Sequence, residues 1–193
     1  MARQIEFFYD YLSPFSYLAD TQLPTIAQRT GAEIVYRPIM LGAIFKATGN
    51  ASPISIPAKA GYILAELQRW AKRYGVPMQM NPYFPFSTIR VLRAAIAAQL
   101  HGRFPAFHSA AFRAIWEQGE DLSKEEALRR LLKGAEIDPA LIEGADIKNR
   151  LRANVDDAVS RGAFGAPTFF VNGEMLWGND RLEFVEAAVM RPA

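Results

Sequence analysis

The sequence has no cysteine and only two histidines in its 193 residues. Without a thiol there is no disulfide framework, no thiolate zinc site, no iron–sulfur cluster and no catalytic protein thiol. His101 and His108 have no second ligand at suitable spacing, so no metal is expected. An excess of one charge is also missing: 22 Lys and Arg face 20 Asp and Glu. That balance is too even for nucleic acid to be the main partner. No apolar run approaches the roughly eighteen residues of a membrane span. The opening MARQIEFFYD is interrupted by Glu6 and Asp10, and no small-residue cleavage site follows. It does not have the form of a signal peptide, and the expectation is a cytoplasmic protein. Apolar residues are plentiful, at 50%. A chain of this length can bury roughly 70% of its unfolded surface, in one ample domain or a small domain with a large insertion.

The two ends of the chain have mixed patterning and the middle is helical. Residues 5–9 (IEFFY) form an apolar run that predicts a buried strand, closed by a turn over Asp10–Pro14. A helix is expected from Phe15 towards Arg29, with Gly31 as its left-handed stop and Pro24 kinking or dividing it. Residues 33–39 (EIVYRPI) predict a second strand, with Pro38 marking an edge or terminus. Strand, helix, strand in forty residues is a βαβ unit and favours parallel pairing. Helices are expected over 58–74, 87–100 and 104–118. Ser123 and Glu126 form a capping box that would open a fourth, and Asp138-Pro139 a short fifth. Asp146 is placed to cap a helix through Arg161. Residues 167–172 (PTFFVN) then predict a strand, Asn172-Gly173 a hairpin turn, and Glu174–Trp177 its return. Asn179 and Asp180 stand where a last helix needs its N-cap. The order is β-α-β, helical insertion, α-β-β-α. There is no internal repeat and no low-complexity linker.

Two short stretches carry the candidate chemistry. Ser13-Pro14-Phe15-Ser16 joins the first strand to the first helix, a preferred ligand position at the carboxyl end of an open sheet. Helix-start N–H groups favour a nearby anion. Locally, Ser13 is most simply the N-cap and Pro14 the first helical residue. One hydroxyl can cap a helix and stabilise an anion in different states. In Gly165-Ala166-Pro167-Thr168 the proline is either a plain trans strand start or a cis bond exposing the Ala166 backbone for peptide-like pairing. Local sequence does not choose between them.

In combination, FYDYLSPFSYL near the start and GAFGAPTFFVNGEMLWGNDRLEFVE near the end resemble the 2-hydroxychromene-2-carboxylate isomerase family. Those proteins have a thioredoxin-like fold and are related to kappa-class glutathione transferases and, more distantly, to DsbA-like oxidoreductases. The resemblance extends through RPIMLGAIFKATGN and PAKAGYILAELQRWA. It implies an α/β fold with the thioredoxin-like domain at 1–45 and 146–193 and a helical insertion at 46–145. Glutathione is the implied cofactor. The serine matching Ser13 donates a hydrogen bond to the glutathione sulfur, and Pro14 and Phe15 line the same turn. Pro167 matches the family's cis-proline, and Ala166 the residue whose backbone pairs with the cysteinyl part. Trp177, Gly178, Asn179 and Asp180 match the stretch receiving the γ-glutamyl end, where a free carboxylate at Asp180 would suit an α-ammonium group. Helix capping alone would also account for Asn179 and Asp180.

Asn50 and Pro57 match further glutathione contacts, although a Gly-Asn turn and a helix-opening proline explain them locally. Lys46, in the matching loop, is a candidate for a substrate carboxylate, or simply a solvated surface lysine. Ser87 departs from the resemblance: many relatives carry asparagine there, in a region that faces the second substrate. Ala43 stands where a naphthalene-pathway isomerase has arginine. The implied activity is glutathione-dependent cis–trans isomerisation of 2-hydroxychromene-2-carboxylate or a similar carboxylate from aromatic (naphthalene-type) catabolism, by a homodimer. A flat substrate could be enclosed by Phe15, Tyr83, Phe84, Phe86 and Trp177, although core packing explains most of them. A kappa-type transferase or peroxidase and a non-catalytic thioredoxin-fold binding module are the alternatives. Dithiol–disulfide exchange is excluded, because Ser13 and Ser16 hold both redox positions.

Overall fold

The computed structural model describes residues 3–191. Four strands, β1 (Gln4–Tyr9), β2 (Glu33–Pro38), β3 (Thr168–Val171) and β4 (Glu174–Trp177), form one sheet in the order β2-β1-β3-β4. The βαβ unit is parallel: β1 pairs with β2 from Gln4↔Glu33 to Tyr9↔Pro38. β2 is an edge strand, which is where Pro38 is tolerated. β3 runs antiparallel to both β1 and β4. Asn172 (φ 51°) and Gly173 (φ 84°) close the β3–β4 hairpin in the left-handed conformation that an Asn-Gly turn supplies.

Alternation along β1 sorts the core into two layers. Ile5, Phe7 and Tyr9 point to one face and enter the larger apolar cluster, with Phe169 and Val171 of β3 beside them. Phe8 points the other way, into a smaller cluster with Ile39, Ile44, Val155, Ala158, Ala163 and Phe170. Phe7 stacks on Phe169 and Tyr9 at centroid distances of 5.3 and 5.2 Å. Burying each such ring contributes roughly 1.5–3 kcal/mol, so the aromatics of β1 favour covering the sheet on both sides.

The first helix is divided, as Pro24 requires: α1 (Pro14–Asp20) ends before α2 (Leu23–Thr30), where the proline occupies the first turn. α3 (Leu41–Thr48) follows β2 and was not expected; Met40 at its N-cap gives no capping bond to signal it. The middle holds α4 (Pro57–Tyr74), α5 (Ile89–Leu100), α6 (Phe104–Trp116) and α7 (Glu125–Gly134). α8 (Ala145–Ser160) and α9 (Leu182–Met190) flank the hairpin. The larger cluster runs without a break from the sheet into the middle helices. Trp116 of α6, fully buried, donates its indole N–H to the Tyr11 carbonyl at 2.8 Å.

Three capping expectations are corrected. The Ser123 box does not form: both the N–H and hydroxyl of Ser123 go to Asp121 Oδ1, and Lys124 takes the N-cap of α7 without a side-chain bond. Asp121 competes successfully because its short side chain closes a turn two residues on. Asp146 lies inside the first turn of α8, paired with Arg150, while Gly144 holds the N-cap. Asn179 and Asp180 belong to a 3-10 turn (Asn179–Arg181), so Arg181 is the N-cap residue of α9. The segment after Asp138-Pro139 is likewise one 3-10 turn, Leu141–Glu143.

Candidate active site

The site begins at the end of β1. Ser13 is the N-cap of α1, with extended backbone (φ −85°, ψ 112°) and Pro14 in the first turn. Its hydroxyl accepts from the Ser16 N–H at 3.1 Å and donates to the Ala166 carbonyl at 3.1 Å. The capping role is therefore real, and the same oxygen reaches across 153 residues to the second motif. Pro14 has no N–H and that of Ser16 is taken, so Phe15 N–H is the one left free in the first turn among the described residues. The helix start thus offers one backbone donor, fewer than the general picture of unpaired N–H groups implies.

The bond between Ala166 and Pro167 is cis. A second cis bond, Phe84–Pro85, had no signal in the sequence. The Pro167 carbonyl accepts from the Gly178 N–H at 3.0 Å, which seats the end of β4 against the Pro167 turn. Thr168 Oγ1 pins the turn to the Gly165 carbonyl at 2.8 Å. Trp177, 48% exposed, packs on Phe164 at a centroid distance of 4.9 Å. Gly165 permits that approach, since a Cβ there would lie 2.7 Å from Trp177 Nε1. Gly178 (φ 103°) allows the chain to bend back so that Asp180 lies beside it.

The structure joins Asn50 to this group. Its Nδ2 donates to the Phe164 carbonyl at 2.8 Å, and its Oδ1 accepts from Ala51 N–H at 2.8 Å. The Gly-Asn turn is present as well, with Gly49 left-handed at the end of α3. Asn179 is buried; its carbonyl accepts from the Tyr74 hydroxyl at 2.9 Å, while its Nδ2 has no partner among the described residues. Ser16 Oγ, also buried, is without a partner too. Asp180 departs from expectation: it is not a free carboxylate but is paired with its neighbour Arg181, both half exposed. Such a pair is worth at most about 1 kcal/mol, so a ligand ammonium could displace it.

Pro57, Lys46 and Ser87 are less closely tied. Pro57 opens α4, which packs against α1, but is itself exposed. Lys46 is exposed in the last turn of α3. Ser87 is exposed beside Thr88, whose hydroxyl donates to Asp10 Oδ1 at 2.6 Å. Sequence reasoning missed Asp10, Tyr74, Thr88 and Phe164. Only Asp10 had a local signal, the Asx turn it makes with Leu12 N–H.

His101 is the C-cap residue of α5. His108 is buried, with Nδ1 at 2.9 Å from the Tyr11 hydroxyl and Nε2 at 2.9 Å from Asp20 Oδ1. Burial pushes the Tyr11 and Tyr9 hydroxyls well above the usual tyrosine range. This network is enclosed in the aromatic core and ties α1 to α6.

The family model of a DSBA-like thioredoxin domain matches residues 4–190. The chain is 35% identical to a 2-hydroxychromene-2-carboxylate isomerase of Sphingobium xenophagum, covering 98% of this chain and 100% of that one. It is 28% identical to glutathione S-transferase kappa 1 of Rattus norvegicus, over 95% and 89% of the two chains. Among solved structures, a 2-hydroxychromene-2-carboxylate isomerase superposes with a TM-score of 0.86 at 30% identity, covering 96% of this chain and 93% of that one. Oxidoreductase DsbA from Xylella fastidiosa shares the fold, with a TM-score of 0.62 at 18% identity over 97% and 84% of the chains. With Ser13 at the start of α1 facing Pro167 across the Ala166 carbonyl, and with these likenesses over nearly its whole length, the chain belongs to the 2-hydroxychromene-2-carboxylate isomerase family of DsbA-like thioredoxin-fold proteins.

Proposed function

We propose that the protein is a glutathione-dependent cis–trans isomerase of 2-hydroxychromene-2-carboxylate or a similar carboxylate from aromatic catabolism. The observation that carries the reading is Ser13 Oγ, held at 3.1 Å from the Ala166 carbonyl beside the Pro167 turn. The chemistry a bound glutathione supplies is reversible thiolate addition to a conjugated double bond, which frees that bond to rotate. No electron is gained or lost and the thiol is regenerated, so a chain without cysteine needs no redox partner.

The groups present fit a small peptide with a thiol and charged ends. The Ser13 hydroxyl, turned from the Ala166 carbonyl, becomes a donor to sulfur and favours its anionic form. The Phe15 N–H adds a second donor at the same end of α1. The Ala166 backbone, released from Ser13, pairs with the cysteinyl amide. At the far end, the unpartnered Asn179 Nδ2 supplies a buried donor, and Asp180 an acceptor for an ammonium group. Trp177 and Phe164, packed on each other beside the Pro167 turn, lie between the two ends in this reading. Lys46 and Ser87 belong to the carboxylate substrate in this reading, with Pro14, Asn50, Pro57 and Gly178 shaping the glutathione side.

The proposal takes residues 1–45 and 146–193 as the thioredoxin-like domain and 46–145 as the helical insertion. It places the enzyme in the cytoplasm as a homodimer. Among the described residues no helix is long and apolar enough to cross a membrane.

The test is turnover with glutathione counted. The isomerase reading expects product to form with catalytic glutathione and the thiol to remain. Stoichiometric loss of the thiol would instead favour the transferase or peroxidase alternative. An absence of glutathione binding by calorimetry would leave a non-catalytic binding module.

A further inference from the structure

Three stretches carry candidate residues: the turn holding Ser13, α3 with Lys46, and the loop from 75 to 88 that contains Ser87. They lie far apart in the chain, and one side chain is bonded to all of them. Asp10 is 3% exposed at the end of β1. Its Oδ1 accepts from Leu12 N–H at 3.0 Å and from Thr88 Oγ1 at 2.6 Å, and its Oδ2 from Leu41 N–H at 2.8 Å. Leu12 belongs to the turn, Leu41 is the first residue of α3, and Thr88 is the N-cap residue of α5. The Asp10 carbonyl also receives the Ser13 N–H at 2.9 Å.

The donors specify the residue type. Each carboxylate oxygen faces a backbone N–H, which cannot reverse its direction, so both oxygens must accept. An amide would set its own NH2 against a backbone donor in either orientation. Among the described residues no cation is paired with Asp10, and burial pushes its carboxyl above the usual range despite the bonds from Thr88, Leu12 and Leu41. A lone buried carboxylate is costly. What the carboxylate achieves is the joining of three segments.

We infer that Asp10 is a positioning residue, whose carboxylate holds the Ser13 turn, the start of α3 and the Ser87 loop in one register. What those segments bind rests on the isomerase reading above; the bonds themselves do not. In this role Asp10 sets the distance between the sulfur site at Ser13 and the second-substrate groups at Lys46 and Ser87. A misplacement of about 1 Å between reacting groups can cost on the order of 100-fold in rate.

The experiment compares Asp10→Asn, Thr88→Val and Thr88→Ser with the wild type, by hydrogen–deuterium exchange and by steady-state kinetics. In Asp10→Asn, exchange should rise together over 10–13, 41–44 and 84–90. In Thr88→Val the rise should be confined to the last stretch, and Thr88→Ser should match the wild type. With the aromatic substrate, kcat/KM should fall about tenfold or more in Asp10→Asn and severalfold in Thr88→Val. Thr88→Ser should restore it, and Thr88→Val should bind glutathione as the wild type does. A purely structural role would lower the melting temperature and leave kcat/KM per folded molecule unchanged in both variants; that result overturns the inference. So does an exchange increase confined to 10–13 in Asp10→Asn. If Asp10→Asn does not fold, the Thr88 pair decides alone. If the wild type neither binds glutathione nor turns over, the isomerase reading fails, and the exchange pattern still decides whether Asp10 joins the three segments.

Discussion

Alanine at Gly165 would test how closely Trp177 is seated on the turn before Pro167. The added methyl would stand 2.7 Å from Trp177 Nε1, 3.4 Å from Cε2 and 3.6 Å from Cδ1. The first contact is far inside van der Waals distance, so the indole must move. The backbone at Gly165 is outside the left-handed region, so alanine brings no conformational penalty of its own. Trp177 is 48% exposed and can swing outward, losing its packing on Phe164 at 4.9 Å. An aromatic pair is worth about 0.5–1.5 kcal/mol, whereas overpacking a rigid core costs about 1–3 kcal/mol. The open side of the indole selects the lower figure, about 1 kcal/mol, which lowers Tm by about 2–4 °C in a domain of this size. Thermal melts and near-ultraviolet circular dichroism read both effects, and calorimetry should find weaker glutathione binding as the Trp177 indole moves. Adding Gly165→Ala to Trp177→Ala should cost almost nothing further, because the clash is gone. The reasoning is refuted if the double variant still loses about 1 kcal/mol relative to Trp177→Ala.

Other expectations follow from the same contacts. Ser13→Ala removes the cap on Ser16 N–H and the donor to the Ala166 carbonyl, and should cost about 1–2 kcal/mol in urea unfolding; an unchanged midpoint would contradict both bonds. Tyr74→Phe removes the 2.9 Å bond to the Asn179 carbonyl and should cost about 1 kcal/mol, with severalfold weaker glutathione binding by calorimetry. The hydrogen bond from Arg161, aided by its charge and that of Arg37, holds Glu6 below its ordinary 4.5. That contribution is complete above about pH 4.5 and is lost as pH falls through the lower folded value. Glu6→Gln should therefore flatten the acid limb of stability against pH, and parallel curves would rule the ion pair out.

The elements whose signals are local were legible in the sequence. The apolar and aromatic run of β1, Pro24 in the first turn of α2, and Asn172-Gly173 in the hairpin each act within a few residues, and each appears where the patterning places it. The caps at Ser123 and Asn179 failed for equally local reasons: Asp121 takes the Ser123 N–H and hydroxyl, and Asn179 and Asp180 enter a 3-10 turn ahead of α9. α3 escaped because Met40 offers no cap and Ile44 is the one residue of the helix that is fully buried. The candidate site was legible at Ser13 and Pro167 as two separate turns. The contacts that unite them were not, because Ser13 reaches Ala166 across 153 residues and Thr88 reaches Asp10 across 78. The pairing of Asp180 with Arg181 was available from adjacency alone, yet only the structure shows the two side chains turned toward each other.

The central claim is that Ser13 stabilises a sulfur anion that the chain itself cannot supply. Ultraviolet titration of the thiolate of bound glutathione, in the wild type and in Ser13→Ala, measures this directly. A free cysteinyl thiol titrates near 8.5, and the account predicts a wild-type value lower by at least about one unit, a tenfold gain in thiolate fraction. Ser13→Ala should return most of that shift while glutathione stays bound. An unshifted thiol in the wild type, or an equal shift in Ser13→Ala, would contradict the account.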